Sequence, residues 1–507
     1  MEAKFRAISK EWHAPTLLLL PILGAAVLIS VAFAANGVRG TDQYWYLADV
    51  LTLIEGGDPL SNLYFPRSVL DGTANYFAHN GPSLHLSAMV GKIVGPYNGW
   101  LVVNLISHAI IAACIWATCL KFTNRQIATI CCCLYLIAPI PIWQSMNMMR
   151  EQFFGAMLAI IVLLFSYRNQ KLPQHLLPVF IAVSAPVHPL FTTIALVYFA
   201  ACTSLYFQHR DNRLLLSFVP FVAIAILVQA LYSIHFPTTF QPTYLSIIAG
   251  SVPGKSSMLW HYSDVLPTLS LDLLIQKFLV AVKTHLFQFP VYLYTNLALI
   301  SALYITIIKK RRLKKIECLL VFILIQYVAL SVLMQTQPRY QQIFSVVSFL
   351  TIALALHAIW DIVSAKVKGF VFLVAVFTNL TTSVHLGHTL NQQAIQESYS
   401  LSELQNQLNT ISTDSRLVLV DSDHETKLSY LLRPRKVLSV KTEFISHEAY
   451  KTILSRFQPE LIISTQPVDS FPYHHQKDST LTTTYLGEFY TYKIHNTVIS
   501  QNGTSDR

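Results

Sequence analysis

Charged residues are scarce in this chain of 507 residues: Asp, Glu, Lys and Arg together make up 12%, whereas hydrophobic residues make up 53%. The mean hydropathy is +0.46. Because a typical soluble domain has about a quarter charged residues, these values exclude an ordinary soluble enzyme. They also exclude collagen-like, coiled-coil and disordered chains. Apolar runs long enough to cross a bilayer recur along most of the chain, which predicts a polytopic membrane protein.

Cysteine is absent from the polar C-terminal part of the chain, and the seven cysteines lie inside or at the edge of apolar segments. A disulfide framework needs cysteines in exposed loops. The consecutive Cys131, Cys132 and Cys133 have no partner at metal-ligand spacing, so we interpret the cysteines as small apolar residues of membrane helices. Glycine-rich phosphate loops and solenoid-length repeats are absent too, so neither a nucleotide site nor a repeat architecture is predicted.

Apolar windows predict about eleven transmembrane helices. Five basic segments are separated from one another by an even number of these helices. They are the nearly all-basic run Lys309–Lys315 and the basic loops around Lys121, Arg168, Arg210 and Lys366. Since Lys and Arg accumulate in cytoplasmic loops, this pattern predicts a cytoplasmic N-terminus and an extracytoplasmic C-terminal part. The excess of Lys and Arg in the formal net charge of +10 thus indicates the orientation of the chain in the membrane. No nucleic-acid partner is predicted.

The last part of the chain differs from the rest because short apolar, β-branched runs alternate with helical patterns. The predicted strands are Arg416–Asp421, Val437–Val440, Leu461–Ser464 and the closing strand Gly487–His495. Strand-helix alternation predicts a small α/β domain. The predicted division is a transmembrane domain at 1–390 with large extracytoplasmic loops at 36–99 and 236–285, followed by an extracytoplasmic α/β domain at 391–507. We interpret the loop 236–285, which contains four prolines, as a lid over the substrate.

Acidic residues near the predicted outer membrane edge are candidate catalytic or metal-binding residues. Asp42 follows the first span, where a carboxylate can act as a base or a metal ligand, although an interfacial helix N-cap is an equally concrete alternative. Arg150 and Glu151 lie in the turn between the third and fourth spans, and charged residues are costly so close to hydrocarbon. The alternative for this pair is an interfacial salt bridge. His79 and His188 lie on the same predicted face but have no partner at metal-ligand spacing.

Several short motifs resemble a known group of enzymes. Asp42, Tyr46 and the turn Glu55–Pro59 are similar to the opening of GT-C-type glycosyltransferases, in particular the protein O-mannosyltransferase and aminoarabinose transferase group. Tyr76–Leu84 resembles the aromatic-Pro-Leu segment of that group, and Gln337–Tyr340 resembles its Arg-Tyr before a penultimate helix. The resemblance covers the whole layout, including the outer C-terminal domain. It implies an all-α membrane bundle with a small α/β domain.

The function that this resemblance implies is transfer of a sugar from a polyprenyl-phosphate carrier to a glycan, lipid or protein acceptor outside the cytoplasm. It makes Asp42 and Glu151 the expected catalytic residues and the expected ligands of a divalent metal, if one binds. Where some members have two adjacent acids, this chain has Gln43 in the second position. The expected substrate-binding residues are Arg339, Tyr340, Arg150, Tyr46, His79 and His188.

Two other functions are consistent with the sequence. The placement of Arg150 and His188 at the starts of spans is similar to polysaccharide-repeat polymerases of the EpsG-like kind, which usually lack a soluble tail of this size. A flippase or transporter of lipid-linked sugars is the other alternative, although matched inverted halves are not evident. The lack of outer cysteines and the scarcity of glycosylation sequons favour a bacterial inner membrane.

Overall fold

The computed structural model describes residues 24–30, 41–57, 62–66, 81–184, 269–308, 315–333, 339–411, 417–466 and 475–494, with a few further positions before residue 40 and between 191 and 263. His79 and His188 lie outside the described residues, and so does most of the loop 236–285. Their predicted roles therefore stay predictions.

Helices make up most of the described chain. In chain order they are α1 Thr41–Ile54, α2 Gly81–Val94, α3 Pro96–Phe122, α4 Arg125–Ile137, α5 Pro139–Met146, α6 Glu151–Ser166, α7 Lys171–Ser184, α8 Leu271–Phe287, α9 Phe289–Leu303, α10 Lys315–Leu333, α11 Tyr340–Ile343, α12 Ser345–Ile359 and α13 Ala365–Thr410. A π-helical turn, Tyr304–Ile308, extends α9.

Three of the described helices are long and apolar enough to cross a membrane. They are α3, α13 and the segment Ile316–Leu333 of α10. The number rises to five if each of two sharply bent helix pairs is counted as one span. The described residues thus support a helical membrane protein, while the predicted total of about eleven spans is not confirmed.

Two predicted elements differ in detail from the structure. The span predicted at Ile127–Trp143 is broken at Ala138 into α4 and α5, which are bent by 49°. Ala138 is extended, with φ −64° and ψ 140°, because the residue before a proline avoids helical dihedrals and Pro139 lacks the N–H that would continue α4. The end of the predicted loop 236–285 is helix α8, which begins where the Ser270 side chain accepts a hydrogen bond from the Leu273 N–H.

The C-terminal part forms a six-stranded sheet. Its strands are β1 Leu63–Tyr64, β2 Leu417–Asp421, β3 Lys436–Ser439, β4 Leu461–Ser464, β5 His475–Thr483 and β6 Gly487–Ile494, in the order β1-β3-β2-β4-β6-β5. The neighbours from β1 to β4 pair in parallel, whereas β6 and β5 are antiparallel. Helices α14 Glu425–Leu431 and α15 His447–Phe457 make the crossovers. The predicted strand-helix alternation is confirmed.

The sheet is physically joined to the membrane part of the chain. Its edge strand β1 comes from the segment between α1 and α2. A shared apolar core contains Trp45 and Val50 of α1 together with Leu428 of α14 and Val437 of β3. Helix α13 runs without interruption through the predicted boundary at residue 390. The division into domains at that residue stays a prediction.

Candidate active site

Three segments that are far apart in sequence meet in the fold and carry most of the predicted site residues. Asp42 lies in the first turn of α1, and Glu151 is the first residue of α6. Arg339 directly precedes α11, whose first residue is Tyr340. The chain separates Asp42 from Arg339 by 297 positions. Only the tertiary fold therefore brings these side chains together.

Asp42, Glu151 and Arg339 form an ion triad. Arg339 Nη1 donates a hydrogen bond to Asp42 Oδ2, and Arg339 Nε lies 3.6 Å from Glu151 Oε1. Burying a carboxylate costs free energy unless a cation pairs with it, and Arg339 supplies that pairing for Glu151. A single guanidinium thus links the two carboxylates that the sequence predicts as catalytic.

The two carboxylates of the triad differ in accessibility. The Asp42 side chain is 29% exposed and that of Arg339 is 20% exposed, whereas only 1% of the Glu151 side chain is exposed. Among the described residues, Glu151 Oε2 has no hydrogen-bond partner. A bound molecule can reach Asp42 and Arg339, while Glu151 is placed behind them.

Further polar groups surround the triad. Burial would lower the pKa of Arg150, but neighbouring groups, among them the carboxylate of Glu151, outweigh this effect and raise it. Arg339 lies above the ring of Tyr340, with 5.3 Å between its Cζ and the ring centroid. The site therefore holds two guanidinium groups beside two carboxylates. Guanidinium groups suit phosphate oxygens because their N–H donors form a planar fork.

Tyr46 is fixed by packing. It is 3% exposed, and its ring stacks on Trp100 with 5.4 Å between centroids and 20° between planes. Burial raises the pKa of Tyr46 above its ordinary value. The phenol therefore keeps its proton at neutral pH and is available as a hydrogen-bond donor next to the triad.

Gln43 has a positioning contact that the sequence did not reveal. Its side-chain Nε2 donates to Asn147 Oδ1 at 3.2 Å, and the Met148 N–H donates to Gln43 Oε1 at 3.2 Å. Gln43 thus joins the first turn of α1 to the turn that precedes Glu151. The sequence marks this residue only as a departure from a paired-acid pattern, because its partner is 104 positions away.

Two residues of α3 hold the same turn from the other side. Asn104 Nδ2 donates to the carbonyl of Gln144 at 3.2 Å and also to that of Asn147. Trp100 Nε1 lies 3.4 Å from the carbonyl of Met149. Because buried carbonyls need donors, these contacts define the path of the backbone into α6.

Gly155 lets α11 approach α6. A Cβ atom at this position would lie 2.8 Å from the carbonyl oxygen of Gln342, which is closer than real Cβ contacts. The absence of a side chain therefore brings α11 against the first turns of α6. This close packing places Arg339 next to Glu151.

The carboxylates do not form a metal site in the described part of the chain. Within it, no group of three or more His, Cys, Asp or Glu side chains lies together in a way that could hold a metal ion. Asp42 and Glu151 both pair with Arg339 instead. A guanidinium thus pairs with both predicted ligands, and a metal ion would have to compete with it for the two carboxylates.

Comparisons with known proteins give a fold but no sequence family: no family model and no curated protein matches the chain. Among solved structures, it resembles ArnT from Cupriavidus metallidurans in the apo state, with a TM-score of 0.61 and 12% identity over 95% of this chain and 98% of that one. The same enzyme bound to undecaprenyl phosphate gives a TM-score of 0.59 at 10% identity, over 95% and 99% of the two chains.

The archaeal oligosaccharyltransferase AglB from Archaeoglobus fulgidus, in complex with an inhibitory peptide and a dolichol-phosphate, is a second structural neighbour. Its TM-score is 0.54 at 12% identity, over 88% of this chain and 69% of that one. ArnT and AglB both have the GT-C fold. The resemblance predicted from the short motifs is therefore confirmed at the level of the fold.

Proposed function

We propose that this protein is a membrane glycosyltransferase that transfers a sugar from a polyprenyl-phosphate-linked donor to an acceptor hydroxyl on the extracytoplasmic face. The observation that carries the proposal is the ion triad of Asp42, Glu151 and Arg339, with Arg150 beside it. The GT-C fold, shared with structures that contain undecaprenyl phosphate or dolichol-phosphate, supports a lipid-phosphate donor. The acceptor is a glycan, a lipid or a protein.

The donor phosphate is assigned to Arg339 and Arg150. A guanidinium has five N–H donors, and the described contacts of Arg339 to the two carboxylates use Nη1 and Nε. Its Nη2 protons are thus available for phosphate oxygens. As the anomeric carbon–oxygen bond breaks, the electron pair moves to the leaving polyprenyl phosphate, and the guanidinium groups stabilise that charge.

Asp42 is assigned as the base. The acceptor oxygen forms a bond to the anomeric carbon and loses its proton, which passes to the Asp42 carboxylate. This role requires an accessible carboxylate, and Asp42 is the accessible one of the pair. Glu151 is assigned to holding Arg339, because it is buried beside the guanidinium. The division of roles thus follows from the different burial of the two acids.

The remaining predicted site residues have supporting roles in this proposal. Tyr46 donates a hydrogen bond to the sugar or phosphate, and Tyr340 supports the guanidinium of Arg339 from one side. His79 and His188 stay candidates for substrate binding. Alternation of the basic clusters supports the orientation, in which the site faces away from the cytoplasm of a bacterial inner membrane.

The proposal is tested by binding of undecaprenyl phosphate to the purified full chain in lipid nanodiscs. We expect Arg339→Ala to weaken binding and Arg339→Lys to restore only part of it, since Lys lacks the planar fork. The matched control is Arg456→Ala, which removes an exposed arginine of α15. Equal affinity of Arg339→Ala and the wild type, or equal losses in Arg339→Ala and Arg456→Ala, would reject the assignment of the phosphate to Arg339.

A further inference from the structure

A buried polar cluster lies beside the ion triad and connects four helices. Its members are His108 of α3, Tyr135 of α4, Gln152 of α6 and Gln342 of α11, and each is at most 4% exposed. Apolar side chains would pack the bundle without the cost of burying polar atoms. Because burying these polar side chains costs free energy, we expect the cluster to have a role other than packing.

The Tyr135 hydroxyl is the centre of this cluster. It accepts a hydrogen bond from Gln342 Nε2 at 3.1 Å and one from Gln152 Nε2 at 3.4 Å. The Gln152 amide also lies 3.1 Å from His108 Nδ1. One hydroxyl group thus joins side chains from two helices that have no covalent connection nearby.

The ring that carries this hydroxyl is itself held in place. It stacks on His108 with 4.9 Å between ring centroids, and it meets the edge of Phe349 at 5.6 Å. Contacts on two sides restrict rotation of the ring, so the hydroxyl has a defined position. The Tyr135 hydroxyl can therefore hold the side-chain amides of Gln152 and Gln342 in defined positions.

The two amides lie next to the residues of the triad. Gln152 directly follows Glu151 in α6, and Gln342 lies three residues after Arg339. The close approach of the Gln342 carbonyl to Gly155 brings the same two backbones together. The Tyr135 hydroxyl thus bridges α6 and α11 next to Glu151 and Arg339.

We propose that Tyr135 is a positioning residue, whose hydroxyl holds Gln152 and Gln342 and thereby fixes the guanidinium of Arg339 relative to Glu151. This inference rests on the proposed function, because it concerns the geometry of the group assigned to the donor phosphate. Tyr135 does not touch the substrate. It acts only through the backbones that carry Glu151 and Arg339.

The test is the Tyr135→Phe variant of the full chain in nanodiscs, assayed for release of undecaprenyl phosphate from a panel of undecaprenyl-phosphate sugars, with bacterial cell-envelope extract added as the source of acceptor hydroxyls. This change removes one oxygen and keeps the ring. We expect kcat to fall about 10- to 100-fold, as when a reacting group is displaced by up to about 1 Å. The KM for the donor should rise as well, because Arg339 is assigned to the donor phosphate, and the thermal midpoint should fall no further than in a control that loses another buried hydroxyl. The control is Tyr294→Phe, which removes a hydroxyl that is bonded to Asn379 in the same bundle.

A double variant separates positioning from general structural damage. If Tyr135 acts through Arg339, Tyr135→Phe should have little further effect on kcat in an Arg339→Ala background. Additive losses in the double variant, or wild-type kcat in Tyr135→Phe, would overturn the inference. A lower thermal midpoint without a change in kcat would also overturn it. Failure of the wild type to release undecaprenyl phosphate from every donor would instead reject the proposed function.

Discussion

Arg339 is the residue on which the candidate site depends, because it contacts both carboxylates of the triad. In the proposed reaction its guanidinium has two tasks: it neutralises the buried Glu151, and it offers its remaining donors to a phosphate. A lysine has one compact charge and cannot do both with the same geometry. The chemistry of the site is thus tied to the shape of this side chain as well as to its charge.

The same observation gives a prediction about metal dependence. Because Arg339 pairs with both Asp42 and Glu151, we expect treatment with EDTA to leave the rate of undecaprenyl phosphate release unchanged. Addition of Mn²⁺ or Zn²⁺ should not raise it. Loss of activity in EDTA that is restored by either ion would contradict the assignment of Arg339 as the cation of the site.

Two titratable groups at the end of β2 give opposite responses to pH. Burial raises the pKa of Asp421 from 3.8 to about 6, and burial lowers the pKa of His424 from 6.5 to about 4. The stability that protonated Asp421 contributes is complete below about pH 3.8 and is lost as pH rises through about 6. The stability from neutral His424 is complete above about pH 6.5 and is lost as pH falls through about 4.

Single substitutions should separate these two responses. Between pH 4 and 6 the wild-type contributions oppose each other, so the sheet should show little net change. Asp421→Asn should become more stable as pH rises through this window, and His424→Gln should become less stable. Hydrogen exchange of the β2 and β4 amides in the full chain, corrected for the intrinsic rate, measures both. Identical pH dependence in the two variants would refute the assignment.

The sequence allowed prediction of the site residues whose charge is unusual in an apolar part of the chain. Asp42, Glu151 and Arg339 are charged residues at the edges of apolar segments, and the resemblance to a known enzyme group pointed to them. Their roles in catalysis stay predictions, although the fold does bring the three side chains together. Gln43 and Tyr135 could not be recognised as bridges, because their function depends on partners that are distant in sequence.

At the scale of elements, apolar periodicity predicted the long helices and the buried strands β2, β3 and β4. It missed β5, in which Leu481 is the only apolar residue, because that strand pairs at the sheet edge with few side chains in the core. It also missed β1, which has only two residues and is specified by pairing with β3. Tertiary pairing, and not local pattern, forms both strands.

Asn62 is the clearest link between β1 and the rest of the sheet. Its Nδ2 donates to the carbonyls of Ser429 and Arg435 at 2.9 and 3.0 Å, and the Ser429 hydroxyl donates to its Oδ1 at 2.7 Å. The backbone carbonyl of Asn62 also accepts from the Val437 N–H. This one side chain therefore satisfies three polar groups of the C-terminal part.

Asn62→Ala should loosen this junction. Because partly buried groups would lose their partners, we expect a local loss of about 1 to 3 kcal/mol. The measurement is faster hydrogen exchange at the β3 amides, with unchanged exchange in β5 at the opposite edge of the sheet. Unaltered protection of β3 would show that β1 is not held by Asn62.

At the scale of the whole molecule, the proposed function requires that the triad face away from the cytoplasm. The basic clusters predict this orientation. An alkaline phosphatase fused after Arg507 should therefore be active in a bacterial host, and one fused at Lys310 should be inactive. Reversed activities would place the triad on the wrong side for an extracytoplasmic acceptor and would contradict the proposed topology.

The central claim is that Asp42 and Arg339 together perform sugar transfer from a polyprenyl-phosphate donor. The most direct measurement is single-turnover release of undecaprenyl phosphate by Asp42→Asn protein, with Asp361→Asn as the control for an exposed acid after α12. We predict a rate about 100- to 1000-fold below the wild type, with carrier affinity changed by less than about threefold. Release at the wild-type rate by Asp42→Asn protein would contradict the account.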